Sequence, residues 1–379
     1  MKESIIIRNI GPLHEVEIDD IRPFTVFVGK SGSGKSTILK VLAMCRWIFK
    51  MTCIRFFLNM SGVDISIFTF DFNSYVAKNG LRDYLKPESS IVYQKGNCKI
   101  SYSKAGLRVD KITDWDNISL EKISFISDKR NMIPEILQRN SDKNNLNYFL
   151  RESYEDYKKA VETVRTLNLD CLGVDFRVEK GQNGRDKFKI YGDMDGQEYS
   201  VNLSDSSSGT QTVTPLSVIL EYFTRHYDVV DNLNKAVFQM LSSADRISQF
   251  KGRKDIGAIS SRMVSFHIEE PELSLYPYSQ CQLMDFIVDR CFHSSPLNCS
   301  YSVMIATHSP YIVNHLNLLG ARAAKGVANL PSLSMDSIGV YEVVDGFLND
   351  LNQGDLIDTR LLSDPIEDTY SQYNEILGL

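Results

Sequence analysis

An α/β fold is what this sequence predicts, with antiparallel strands at the N-terminus and a helical subdomain inserted later. Three stretches predict it. Gly29 to Thr37 reads Gly-Lys-Ser-Gly-Ser-Gly-Lys-Ser-Thr, which meets the phosphate-loop pattern G-x-x-x-x-G-K-[ST] at every position. Val264 to Glu272 is an apolar run that ends in the acidic pair Glu269-Glu270. Val303 to Pro310 is a second apolar, β-branched run, and it ends in His308.

Taken in order, residues 4–28 read as strand and turn pairs: Ser4–Ile7, His14–Ile18 and Phe24–Val28, broken at Gly11-Pro12 and Arg22-Pro23. Ile38 to Cys45 starts a helix expected to run to about Phe57. Residues 60–125 read as mixed strand and helix, with a hairpin of Ile91–Tyr93 and Cys98–Tyr102. Lys122–Ser127 is another strand. Polar helix formers over 130–170 predict helices. Three short strand signals follow, Val174–Val178, Phe188–Tyr191 and Glu198–Val201, with Asn183-Gly184 and Asp195-Gly196 as turn dipeptides. That ribbon runs into Ser207-Ser208-Gly209-Thr210-Gln211 and an apolar helical stretch, Leu216–Tyr222. A final helix is expected near Glu367–Leu377.

Composition bounds the function classes. The chain has 379 residues, 43% hydrophobic and 24% charged, with a formal charge of −6. A net acidic molecule is not expected to bind nucleic acid over its whole surface, although a local basic patch such as Lys251-Gly252-Arg253-Lys254 is compatible with it. Seven scattered cysteines form no paired C-x-x-C array, so neither zinc nor a disulfide framework is expected. A reduced cytoplasmic setting follows. No apolar run reaches the roughly 20 residues that span a bilayer, and the N-terminus does not read as a signal peptide.

The chemistry expected of the motifs is local. Glycines allow main-chain N–H groups to wrap a triphosphate, with the positive end of the following helix toward it. Gly29, Lys30, Ser31, Gly32, Ser33, Gly34, Lys35, Ser36 and Thr37 are the expected nucleotide-binding set. Lys35 would reach the β- and γ-phosphates, and Ser36 would ligate Mg²⁺. Glu269 would hold that metal directly or through water, and Glu270 would polarise an attacking water. His308 lies at a strand's carboxyl end, where α/β sheets bind ligands.

In this order the motifs resemble those of ABC-type ATPase heads, a group that includes SMC, RecF-like and OLD-type ATPases. Ser207-Ser208-Gly209 resembles a degenerate signature motif, and Thr307-His308-Ser309 the switch histidine. Glu-Pro-Glu at 270–272, Leu275-Tyr276-Pro277 and His-Ser-Pro are most similar to stand-alone OLD-type ATPases of bacterial defence. The resemblance implies a P-loop fold with a mixed β-sheet core and an ATPase head over 1–320. It places a helical and insert region at about 130–200, a loop-helix insertion at about 226–262, and an extension completing the head over 321–379. It implies ATP and Mg²⁺, and a head-to-head dimer in which Ser207, Ser208 and Gly209 meet the partner's nucleotide. It also implies a separate effector, a nuclease or toxin, because the stretch after His308 carries no D-x-D metal pair. The alternative is a DNA-binding repair ATPase of the RecF kind. Two departures stand out: Glu269 replaces the usual Asp, and Ser208 replaces a glycine. Gln94 is one candidate for the hinge into the helical subdomain, and the strand-end Ser127–Arg130 is the better placed one.

Overall fold

The computed structural model describes residues 1–63, 71–139, 146–181, 184–243, 259, 261–293 and 295–377. The basic stretch Lys251–Lys254 lies outside them, as does Asn183 of the first turn dipeptide.

Strands β1 (Glu3–Ile10), β2 (Leu13–Ile18) and β3 (Phe24–Val28) open the chain, and α1 (Lys35–Met60) follows the glycine loop. Next come α2 (Phe72–Lys78), β4 (Leu85–Lys95), β5 (Cys98–Ser103), β6 (Gly106–Val109) and β7 (Leu120–Ile126). Helices α3 (Ile133–Arg139) and α4 (Tyr148–Thr163) lead into β8 (Thr166–Leu169), β9 (Val174–Lys180), β10 (Asp186–Met194) and β11 (Gln197–Asn202). Then follow α5 (Ser208–Arg225), α6 (Val229–Ser243), β12 (Arg262–Glu269), α7 (Pro277–Val288), β13 (Ser300–Thr307) and α8 (Pro310–Lys325). The described chain closes with β14 (Ile338–Val344), β15 (Phe347–Asp350), the short β16 (Asn352–Gln353) and β17 (Leu356–Ile357), and α9 (Arg360–Leu377).

Eleven strands form one mixed sheet in the order β6-β5-β4-β1-β2-β15-β14-β3-β13-β12-β7. The α/β class with a mixed core and an antiparallel N-terminal part is therefore borne out. Strands β14, β3, β13, β12 and β7 run parallel, while β6, β5, β4, β1 and β2 form an antiparallel wing. The parallel strands are covered on both faces, which is why β3 and most of β12 and β13 read as unbroken apolar runs. Strands β8–β11 make a separate antiparallel sheet.

The large sheet curls around α1. Six consecutive residues of that helix, Val41 to Arg46, are buried, so it is enclosed on every side rather than on one stripe. Arg46 is fully buried and shows how the curl closes. Its guanidinium pairs with Glu3 of β1 at 2.7 Å and donates to Ser302 of β13 at 3.1 Å. Lys95 of β4 reaches Glu3 at 3.6 Å and Glu121 of β7 at 2.6 Å. Strands from both halves of the sheet order thus meet at one charged cluster under the helix.

Differences from the expected elements are instructive. The region 130–170 is not helical to its end: Thr166–Leu169 is a strand, with Leu167 and Leu169 buried and alternating with exposed Thr166 and Asn168. Alternation over four residues is too short to stand out beside a long helical signal. The first helix runs to Met60, and the last begins at Arg360. Strand β14 inserts between β3 and β15, so chain far beyond His308 lies beside the glycine loop. No helix among the described residues is long and apolar enough to cross a membrane.

Candidate active site

The glycine loop joins β3 to α1, and its glycines are needed for shape. Gly29, Gly32 and Gly34 have φ of 148°, 80° and 112°. Two of them are also tight: a Cβ on Gly29 would lie 2.6 Å from the Val343 carbonyl of β14, and one on Gly34 would lie 2.4 Å from Leu13. The loop is thus moulded between the N-terminal hairpin and the C-terminal strand. Ser33 Oγ is buried inside it with no hydrogen-bond partner. A donor left unpaired in a loop of N–H groups at a helix N-terminus fits an anionic ligand.

Lys35, the first residue of α1, is buried and folds back over the loop. Its ammonium donates to the carbonyls of Gly29 and Lys30, each at 2.8 Å, and lies 3.5 Å from His308 Nδ1. Burial lowers its pKa from the usual lysine value, against the opposing pull of Glu270 and Glu272. The other ring nitrogen of His308 lies 3.4 Å from the Glu270 carboxylate. Lys35, His308 and Glu270, from three distant parts of the sequence, therefore converge at one mouth. Parallel pairing explains it: β12 and β13 are in register at Glu269↔Ala306, and β13 and β3 at Thr307↔Val28.

Glu269 and Glu270 diverge. Glu269 is buried, accepts a hydrogen bond from the Ser36 hydroxyl, and lies 4.0 Å from the Lys40 ammonium. Burial raises its pKa; Lys40, the Ser36 hydroxyl and the Asp128 amide oppose that. Glu270 is the first residue beyond the strand, with a left-handed φ of 45° that turns its carboxylate toward His308. Its N–H is anchored on the Ala306 carbonyl at 2.8 Å. Among the described residues, no group of three or more His, Cys, Asp or Glu side chains could hold a metal ion. Ser36 and Glu269, bonded to each other, are the hard oxygen donors that suit Mg²⁺ when phosphate oxygens complete its shell.

Ser207, Ser208 and Gly209 sit at the start of α5 and are not bonded to this cluster. Ser207 caps the helix through the Thr210 amide, and it and Ser208 are exposed. Gly209 is buried: a Cβ there would meet the Ser274 carbonyl at 2.8 Å, in the turn just after Glu272. Of the two hinge candidates, Gln94 is not bonded to this cluster. It is exposed on β4 in the antiparallel wing and donates to Gly96. Ser127–Arg130 lie beside the cluster, with the Asp128 amide on the Glu269 carboxylate.

Two residues have individual roles that the sequence did not assign. Glu272 accepts the His308 main-chain N–H at 2.7 Å, so it fixes the histidine's loop, and its other oxygen is buried without a partner. Its place two residues after Glu270 was the available signal. Arg130 is wholly buried, and its guanidinium donates to four carbonyls: Ser127, Thr212, Glu269 and Glu270. Nothing local in Ser-Asp-Lys-Arg announces that.

No known family profile matches the chain, and no curated protein matches it. Among solved structures, an SMC head bound to the C-terminal winged-helix domain of ScpA is similar at 12% identity and a TM-score of 0.41, covering 93% of this chain and 97% of that one. The SMC head domain of Thermotoga maritima is similar at 11% and 0.37, covering 93% and 100%. The recombination mediator protein RecF is similar at 9% and 0.36, covering 93% and 99%. At such scores these likenesses carry no argument about function.

Proposed function

We propose that the protein is an ABC-type ATPase. The observation that carries this is the meeting of Lys35, His308 and Glu270 at the mouth of a glycine loop whose Ser36 is bonded to a buried carboxylate. In this reading Gly29–Thr37 hold the phosphates, and Ser36 and Glu269 hold Mg²⁺, which would neutralise phosphate charge when bound. Glu270 orients and polarises the attacking water. His308 and Lys35 place positive or donor groups where charge develops on the transferring phosphoryl group.

Removing Lys35 is the direct test. Lys35→Ala is expected to lose tight ATP binding in a titration, because it removes the buried ammonium that lies against the loop. Unchanged affinity would sink the assignment of the loop.

The exposed Ser207 and Ser208 support a composite site, in which a second copy's nucleotide meets the N-terminus of α5. Ser208→Arg is expected to keep the fold and single-copy binding but to cut hydrolysis. Mixing it with Lys35→Ala should restore part of the activity, since one intact composite site forms per mixed dimer. No recovery in the mixture, measured as phosphate release, would exclude sharing between copies. Ser208 is the better probe than Gly209, because a side chain at Gly209 strikes the turn at Ser274 within its own chain.

We further propose that ATP turnover gates a separate effector of an OLD-like defence system. A gating protein must offer its partner a surface, and the outer half of α9 offers one. Tyr370, Tyr373 and Leu377, spaced three and four residues apart, are exposed along one face, with acidic Glu367, Asp368 and Glu375 on the same helix. An apolar groove on another protein fits that face. The purified chain should then hydrolyse ATP and cut no DNA. ATPase stimulated by DNA, without an effector, would favour the RecF-like reading instead.

A further inference from the structure

We infer that Arg130 is a positioning residue that couples the start of α5 to Glu270. The inference rests on the reading of Glu270 as the residue that activates water. Arg130 lies at the end of β7, in the short turn of helix that follows Ser127. Its Nε donates to the Thr212 carbonyl at 3.1 Å, one turn into α5 from Ser208 and Gly209. Its two terminal nitrogens each take one carbonyl of the acidic pair, Glu269 and Glu270, at 2.7 Å. A further bond goes to its own turn, at the Ser127 carbonyl, 3.1 Å away.

Each detail suits a coupling device. Guanidinium is planar and presents its donors in a fixed fork, so moving one of these carbonyls moves the others or breaks a bond. A buried cation whose hydrogen bonds go to four carbonyls, with the charges of Glu272, Asp128, Glu270 and Glu269 nearby, has little freedom to find another arrangement. Glu270 needs such a hold, because left-handed φ is unfavourable for a residue with a side chain and persists only where surroundings over-determine it. Helix α5 has a weak point at the right place. Pro215 removes the N–H that would bond the Gln211 carbonyl, which loosens the first turns from the rest of the helix. The N-terminal turn of α5 can therefore shift when it engages a nucleotide, and Arg130 carries that shift to the backbone of Glu270. The same turn runs close to the Ser274 carbonyl at Gly209, where a Cβ would lie 2.8 Å from it, which gives the motion a second bearing on this loop.

The test uses Arg130→Lys, which keeps the buried charge but cannot bond all four carbonyls in one plane. Turnover is expected to fall at least tenfold with ATP affinity unchanged. In a Glu270→Gln background the same substitution is expected to cost less than threefold, because its effect runs through Glu270. Hydrogen exchange over 266–273 is expected to quicken in Arg130→Lys without nucleotide, while exchange in β3 stays as in wild type. Equal losses in both backgrounds would overturn the coupling and leave a merely structural arginine, as would wild-type turnover together with wild-type exchange. If wild type hydrolyses no ATP and yet Arg130→Lys loosens 266–273, the ATPase reading fails and the mechanical link stands.

Discussion

Glu270→Gln is expected to bind ATP as wild type does and to hydrolyse it about 10²–10⁴-fold more slowly, the usual worth of a general base. Gln keeps the size and most of the hydrogen bonding of Glu, so the left-handed turn, the Ala306 anchor and the Arg130 bonds to the main chain survive. What is lost is the carboxylate that faces His308. If ATP holds two copies together, a variant that binds without hydrolysing should accumulate as the larger assembly. Light scattering with ATP and Mg²⁺ would show it. Glu269→Gln should behave otherwise. Its carboxylate is bonded to Ser36 rather than directed to the mouth, so Mg²⁺-dependent binding itself should weaken. Normal turnover in Glu270→Gln, with nucleotide trapped by Glu269→Gln instead, would mean that the two roles are exchanged.

Arg46→Ala is expected to cost about 3–5 kcal/mol of stability, the usual penalty for removing one partner of a buried ion pair. It would leave Glu3 buried with only Lys95 at 3.6 Å and the Tyr93 hydroxyl at 2.9 Å. The pH dependence is the sharper measurement. Burial alone would raise the Glu3 pKa, but Arg46, Lys95 and the hydrogen bonds from Arg46 and Tyr93 outweigh it and hold it at about 2, against 4.5 for a free glutamate. A depressed carboxylate stabilises the fold fully above its unfolded value and loses that contribution as pH falls from about 4.5 toward 2. The contribution is on the order of 3 kcal/mol. His267 acts in the same direction from a higher pH. Burial and then Arg46 hold it neutral, well below 6.5, so the unfolded chain takes up a proton that the folded one refuses as pH drops below 6.5. Urea denaturation of wild type should therefore show stability declining on acidification from pH 7. In Arg46→Ala, Glu3 loses its main partner and its pKa rises, so the decline between pH 4.5 and 2 should flatten. An unchanged profile would show that the cluster does not set acid stability.

Sequence by itself determined the parts of this protein whose chemistry is local. A glycine loop between an apolar strand and a helix can be recognised because the positive φ values, the helix N-terminus and Lys35 all lie within one short stretch. Acids and a histidine at strand ends can be recognised because a buried parallel strand must be apolar up to the point where it meets solvent. Those features were legible, and so was the α/β class.

The tertiary structure decided what depends on chain segments far apart. Gly29 must be glycine partly because the Val343 carbonyl of β14 passes against it, and nothing near Gly29 foretells that strand. Ser127–Arg130 read as a better hinge candidate than Gln94, but only the sheet order put Gln94 on the antiparallel wing and Ser127–Arg130 beside Glu269. Arg130 reads as one more surface cation in Ser-Asp-Lys-Arg, yet it is buried on carbonyls 82, 139 and 140 positions away. The physical reason is common to all three. A hydrogen bond or a close approach between distant segments leaves no period or composition in either segment, because each side supplies only one ordinary group, and the order of strands in the folded sheet brings them together.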